Sequence, residues 1–439
     1  MNAVRIVAVE TFFNIESPSA AFGFGASAVG DLTLAHVCVR VADRKGREVE
    51  GWGAIFLSHP WAYPGTAVDP AEKGRRMRAF LDATGQATVE RGAFGHPLDH
   101  FLDIEARLSE AEMPRLAALV AISPLDAAIH DAYGKLHGIS AYAALGPEFV
   151  GWDLSRVLGD PFVGQYFGDY VRSEPIASLP IAHTVGTADP LTIGDRIGAY
   201  PSLAEWIASD GVRNFKVKLK GKDLAWDVAR LREVHTVASG ISGADVRLYA
   251  DLNEQGPSLA YLVALLDDVR DTAPDALAAL VSLEQPSSRN LGLDAIDVHA
   301  ISRRIPVVLD EGLVSLTSID RAAALGWNGI ALKTCKTQSL MLLALAKATE
   351  LGLHVSVQDL TNPGIALPHS AGLAARLPAI EPMESNQRQY FPETSTPEAT
   401  RFPGIYAVRD GAIPTALLDG PGLGYGDLAT IPRDIFAIP

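Results

Sequence analysis

With 439 residues, 48% of them hydrophobic and 20% charged, the chain is long enough for a barrel of about 250 residues plus a second domain, and it fits a soluble globular protein. A formal net charge of −15 argues against a nucleic-acid-binding surface or a role on anionic membranes, and no run approaches the roughly 18 apolar residues of a membrane span. Only Cys38 and Cys335 occur, and Met1-Asn-Ala-Val-Arg-Ile-Val lacks a signal-peptide core, so a reducing cytoplasm without a disulfide framework is expected.

Residues 4–12, 33–41 and 49–56 read as strands of an antiparallel sheet, with Asp43-Arg-Lys-Gly46 as a turn. Between the first two lies a segment at 13–28 rich in Gly, Ser and Phe, which is either a mobile lid or a plain surface loop. Helices are expected at 72–85, 99–108 and 125–136, the last closed by Gly138. His130 and His137 on that last helix are read as packing or surface residues. An aromatic, Gly-rich stretch at 151–179 then joins two domains.

From Leu179-Pro-Ile-Ala-His-Thr-Val185 onward, short apolar runs alternate with helical periodicity. Five runs end on a charged residue: Asn214-Phe-Lys-Val-Lys218, Val246-Arg-Leu-Tyr-Ala-Asp251, Leu280-Val-Ser-Leu-Glu284, Pro306-Val-Val-Leu-Asp310 and Gly329-Ile-Ala-Leu-Lys333. Helical patterns fill 223–239, 258–272, 315–325 and 338–351, and further runs at 354–358 and 379–384 complete eight strands. Alternation of this kind predicts parallel strands joined by helical crossovers, closed into a barrel whose C-terminal rim gathers the charged ends. After about residue 392 the pattern reverts to turns, with a hairpin expected at 405–414 and a tail that packs back on the N-terminal domain.

Asp251, Glu284 and Asp310 end consecutive strands. Three carboxylates so placed raise one another's pKa unless a cation balances them, and a hard divalent ion such as Mg²⁺, or Mn²⁺ in its place, accepts such oxygens. The trio is read as a metal site. Lys216 and Lys218 alternate on one side of the second strand, with Lys218 nearer the rim, and Lys333 ends the sixth strand across the mouth. Partial burial and neighbouring cations are expected to lower these lysine pKa values toward those of a base. Lys220 and Lys222 lie beyond the strand and are read as solvated.

Taken together, Lys216-Val-Lys218, Asp251-Leu-Asn253, Glu284-Gln-Pro286, Asp310-Glu311, Leu332-Lys333 and Tyr133-Gly-Lys-Leu-His-Gly138 resemble the enolase superfamily, in the branch typified by muconate lactonizing enzyme within the mandelate racemase/muconate lactonizing enzyme family. The resemblance implies an α/β chain: an α+β capping domain (1–150), the connection (151–179), a modified (β/α)₈ barrel (180–392) and a C-terminal segment (393–439) that completes the cap. It implies abstraction of the proton α to a substrate carboxylate, giving an enediolate stabilised by Mg²⁺ on Asp251, Glu284 and Asp310. Lys218 and Lys333 would be base and acid, with Lys216 assisting. Asn253, Glu311, Gln358, Asp359, Glu384 and Asn386 are candidates for supporting the metal or binding the distal part of the substrate. The branch that uses a strand-seven histidine fits less well, since His354 opens that strand and His369 lies beyond it.

Racemisation, epimerisation or cycloisomerisation of a small carboxylate through two opposed lysines is the leading expectation. Dehydration of an acid sugar on the same scaffold is an alternative, as is a Schiff-base aldolase through Lys333, against which the carboxylate trio counts. A homo-oligomer is expected.

Overall fold

The computed structural model describes residues 2–20, 22–24, 27–65, 67–196, 198–292, 295–402 and 404–426. Strand β1 (Arg5–Glu16) leads through a small antiparallel ribbon, β2 (Phe22–Phe24) and β3 (Ser27–Val29), into β4 (Leu32–Ala42) and β5 (Glu48–Phe56). β1, β4 and β5 form an antiparallel sheet with β4 in the centre, and β4 is buried at almost every position. The segment expected as a lid or a loop is therefore partly strand. Its Ser19 N–H donates to the Tyr390 carbonyl at 2.8 Å, which ties it to the far end of the chain. Residues 21, 25 and 26 of that segment lie outside the described residues.

Four helices follow: α1 (His59–Ala62), α2 (Pro70–Arg91), α3 (Pro97–Ala106) and α4 (Arg115–His137). The last of these starts ten residues before the expected 125–136, on the far side of Pro124, which lacks a helical donor. In the structure α4 runs through Pro124 and is buried along most of its length, so packing overrides the local break. The helix lies directly on β5, where β-carbons at Gly51 and Gly53 would overlap backbone atoms of Pro124, Ala128 and Ala132. Glycine at these two positions is what permits so close an approach.

From Ser178 the chain alternates strand and helix. β6 (Ser178–Val185), β7 (Asn214–Lys218), β8 (Arg247–Asp251), β9 (Leu280–Glu284), β10 (Val307–Leu309), β11 (Gly329–Leu332), β12 (His354–Val357) and β13 (Met383–Glu384) make one ladder of parallel pairings. Its order is β13-β6-β7-β8-β9-β10-β11-β12. β12 and β13 at its two ends lie next to each other, so the sheet curls round on itself. This is the capping domain plus barrel architecture expected from the sequence. The last barrel strand is shorter than the expected 379–384, since only Met383 and Glu384 pair and Pro382 has no N–H to give a ladder.

The expected hairpin at 405–414 is also revised. Arg409 and Ala412 face each other across a tight turn, and β14 (Ala412–Pro414) pairs antiparallel with β6 of the barrel. Beyond it, Gly422 bonds to the backbone of Ile139 and Ala141, and Leu423 N–H donates to Asp131 on α4. The tail thus touches both barrel and cap. Among the described residues no helix is long and apolar enough to cross a membrane.

The close approach of β5 and α4 makes a direct test. Gly53→Ala is expected to destabilise the protein by about 1–3 kcal/mol, because the new methyl must push α4 off the sheet. Gly240→Ala has open space around its β-carbon in helix Leu224–Ser242 and should be neutral or stabilising, by up to about 1 kcal/mol. Urea unfolding of the two variants would refute this packing account if their order were reversed.

Candidate active site

Parallel strands that end together place their last residues on one rim. In register, Lys218 on β7 stands opposite Asp251 on β8, and Asp251 opposite Glu284 on β9. Asp310 and Lys333 each follow their strand by one residue. All five are buried, as is Lys216.

The Lys216 amine donates to Glu284 Oε1 at 2.8 Å, Gln358 Oε1 at 2.7 Å and Glu384 Oε2 at 2.9 Å, and lies 3.2 Å from Asp251 Oδ2. One ammonium therefore gathers groups from β8, β9, β13 and the end of β12, which requires the sheet to close around it. Lys218 donates to Asp251 Oδ2 at 2.6 Å, while Lys333 lies 2.9 Å from Asp310 Oδ2. The two lysines expected to act on opposite faces thus rest on different carboxylates.

The remaining candidates fall into two groups. Gln358 bridges Lys216 and Glu284, and Glu384 also accepts from Thr184 Oγ1 at 2.9 Å, so both brace the lysine. Asn253 donates its backbone N–H to Asp251 and its side-chain amide to Glu311 at 3.0 Å, which joins the ends of β8 and β10. Asp359 accepts from the Asn386 and Thr361 backbones, and the Asn386 side-chain oxygen is buried without a hydrogen-bond partner. These last two follow the ends of β12 and β13. His354 opens β12, and His369 sits inside helix Ala366–Ala374 bonded to Gln338, so neither enters the site.

Charge balance is uneven. Burial raises the Glu284 carboxyl, and the neighbouring Asp251 raises it further, to about 8. Glu311 is pushed up to about 7 by burial and by Asp310. Asp251 runs the other way: burial opposes its charge, but Lys218 and Lys216 outweigh that and lower it to about 2. The expectation of a lowered pKa is not met for Lys333 and Lys216. Burial disfavours the Lys333 ammonium, yet Asp310, Glu384 and Glu284 outweigh it and hold the amine charged, and Lys216 is likewise raised.

Among the described residues no three His, Cys, Asp or Glu side chains converge closely enough to hold an ion as they stand. The lysine ammoniums occupy the space between the carboxylates. The donor set itself fits a hard divalent ion, being all oxygen, buried, and crowded enough to hold the Glu284 proton up to about 8.

Several site residues were not singled out from the sequence. Lys336, fully buried one turn after Lys333, donates to the Asp310 carbonyl at 2.6 Å and to its carboxylate at 3.0 Å. Its Lys-x-x-Lys spacing was a usable signal. The Gln285 side chain accepts from Asp310 N–H and Gly312 N–H, and Arg289 grips Glu254. Trp61 reaches the rim from α1, and nothing in its local sequence announced that.

A barrel with an α+β cap and a rim of three successive carboxylates flanked by lysines defines a class of protein, and the comparisons place the chain in it. The profile of the enolase C-terminal domain-like family matches residues 200–426, and the chain belongs to that family. An aromatic dipeptide epimerase of Herpetosiphon aurantiacus is 30% identical over 196 residues, which cover 42% of this chain and 49% of that protein. The match thus spans about half of that relative's length. A muconate lactonizing enzyme from Mucobacterium Smegmatis complexed with muconolactone superposes with a TM-score of 0.66, 18% identity and 96% of each chain covered. An enolase from Bradyrhizobium complexed with magnesium and mandelic acid gives 0.61, 18% identity, and 97% and 96% coverage. At these identities the structural likeness speaks for the fold alone.

Lys216→Met removes the cation shared by Asp251, Glu284 and Glu384. Unfolding in chelator should show a loss of about 3–5 kcal/mol. The loss should be greater at pH 9 than at pH 6, because below about 8 Glu284 takes up a proton and relieves the repulsion. A penalty independent of pH would show that Glu284 does not carry the excess charge.

Proposed function

We propose that the chain removes the proton α to a carboxylate of a small substrate and returns one, most directly as a racemase or epimerase. The observation that carries this reading is the pair Lys218 and Lys333, each resting on its own carboxylate at the ends of β7 and β11. In an eight-strand barrel the second and sixth strands lie across the mouth from each other, so a substrate between these amines meets one on each face. The relative's name, aromatic dipeptide epimerase, supports an amino-acid-derived carboxylate as the substrate class.

Asp251, Glu284 and Asp310 would hold Mg²⁺ or Mn²⁺. Bound there, the ion would polarise the substrate carboxylate and neutralise the oxygens that otherwise keep the lysines charged. Lys218 takes or delivers the proton on one face and Lys333 on the other. Lys216, anchored by Glu384 and Gln358, stays charged and offsets the negative charge that develops on the substrate. Asn253 and Glu311 orient the metal-side loops, and Asp359 and Asn386 face the distal end of the substrate. An imine mechanism through Lys333 would leave the carboxylate trio without a task.

The same reading divides the chain at residues 150, 179 and 392. The antiparallel sheet and α2 to α4 precede the first boundary, and the barrel ladder lies between Ser178 and Glu384.

Incubation in D₂O with dipeptides, N-acyl amino acids, lactones and acid sugars tests the reading. Lys333→Ala should lose epimerisation yet keep exchange from one enantiomer, with Lys218→Ala giving the mirror result. Each loss should be about 10² to 10⁴ in rate on the affected face. Glu284→Gln should abolish turnover while the protein stays folded. Full activity in chelator would remove the metal from the account, and near-normal turnover of Lys333→Ala would favour a one-base reaction such as dehydration.

A further inference from the structure

Trp61 is the point at which the cap enters the catalytic rim. It lies on α1, directly after β5, and is only 2% exposed. Its indole N–H donates to Glu311 Oε1 at 3.0 Å, and its backbone carbonyl accepts from Arg289 Nη1 at 3.1 Å. The ring face looks at two amines, Lys333 Nζ at 4.7 Å from its centroid and Lys336 Nζ at 5.7 Å.

We propose that Trp61 is a positioning residue for the Lys333 amine. The inference rests on the reading of Lys333 as the proton-transferring group on one face. A lysine side chain has four rotatable carbon links, so an amine held by a single carboxylate still swings. Asp310 on one side and the indole face on the other confine it at two points. The ring cannot rotate freely, because its N–H is committed to Glu311. That same Glu311 oxygen also takes the Asn253 amide, and Arg289, bound to Glu254, holds the Trp61 backbone. Three barrel loops therefore set the plane of a cap residue, and that plane sets where the amine of a fourth loop sits. Among the described residues no cap ring faces the Lys218 amine, which donates to Asp251 within the barrel.

The asymmetry supplies the test. Displacing a reacting group by about 1 Å costs on the order of 10²-fold in rate. In face-resolved α-proton exchange in D₂O, Trp61→Leu should lose about 10- to 100-fold from the enantiomer served by Lys333, with exchange through Lys218 held within about 3-fold. KM should change little. Trp61→Phe keeps a ring face but loses the N–H that fixes its plane on Glu311, so it should recover only part of the lost rate and only on the Lys333 face, which a merely structural loss would not predict. Equal losses on both faces, or none on either, would overturn the proposal.

A second measurement does not depend on catalysis. Trp61→Leu, Lys333→Met and the double variant form a cycle read by thermal unfolding. The proposal expects the double variant to lose clearly less than the sum of the singles, since either change alone breaks the same contact. Additive losses would overturn it. If the wild-type chain exchanged no α-proton from any carboxylate, the function reading would fall, while the unfolding cycle would still decide whether Trp61 holds the Lys333 amine.

Discussion

The arrangement depends on a single buried ammonium. Lys216 draws Asp251, Glu284, Glu384 and Gln358 within 3.2 Å of one nitrogen, deep in a barrel where an unpaired charge would cost several kcal/mol. No exposed lysine could impose such an order. Because these partners come from β8, β9, β13 and the end of β12, the ion pairs couple closure of the sheet to balance of charge. The balance is incomplete. Glu284, pushed up to about 8, and Glu311 and Asp359, each pushed up to about 7, are the groups on which the surplus of carboxylates appears. In such a rim a nearby positive charge, here the lysine ammoniums, favours the ionised carboxylates.

Backbone strain keeps the carboxylates where they are. Asn253, Glu254 and Gln285 adopt φ values of 39°, 71° and 31°, a region that side-chain-bearing residues rarely visit. Asn253 and Glu254 lie just past the end of β8 and Gln285 directly follows β9, and each is over-determined by its bonds: Asn253 by Asp251 and Glu311, Glu254 by Arg289, Gln285 by the Asp310 and Gly312 amides. Adjacent strand ends are thereby bonded to each other around the carboxylate trio. The cost of the left-handed turns is met by hydrogen bonds that exist only in the closed barrel.

The cap contributes more than a cover. Helix α4 sends Asp126 to the Ser339 amide and hydroxyl at 2.9 and 2.7 Å, and His130 to the same hydroxyl at 2.8 Å. Ser339 lies at the start of helix Gln338–Glu350, a few residues after Lys333 and Lys336. With Trp61 on the other side, the segment carrying these two lysines is held by the cap at two places. Cap and barrel thus share responsibility for the β11 side of the rim, while the β7 side is braced within the barrel.

Much of this was legible along the chain, and the limit has a physical reason. Strand ends such as Asp251, Glu284, Asp310 and Lys333 could be read directly, because a parallel barrel converts sequence periodicity into position: every strand that ends on a charge brings it to the same rim. The antiparallel cap was legible for the same reason, from period-two alternation. The partners of those charges were not. That Gln358 and Glu384 serve Lys216, and that Asn253 and Trp61 meet on Glu311, follows from contacts between residues separated by up to 250 positions, which no local pattern encodes. The charge held on Lys216 and Lys333 is not encoded locally either, since a strand position suggests burial but not how many carboxylates surround the amine. Local periodicity determined which residues reach the rim; the closure of the sheet and the docking of α1 and α4 decided what each one touches there.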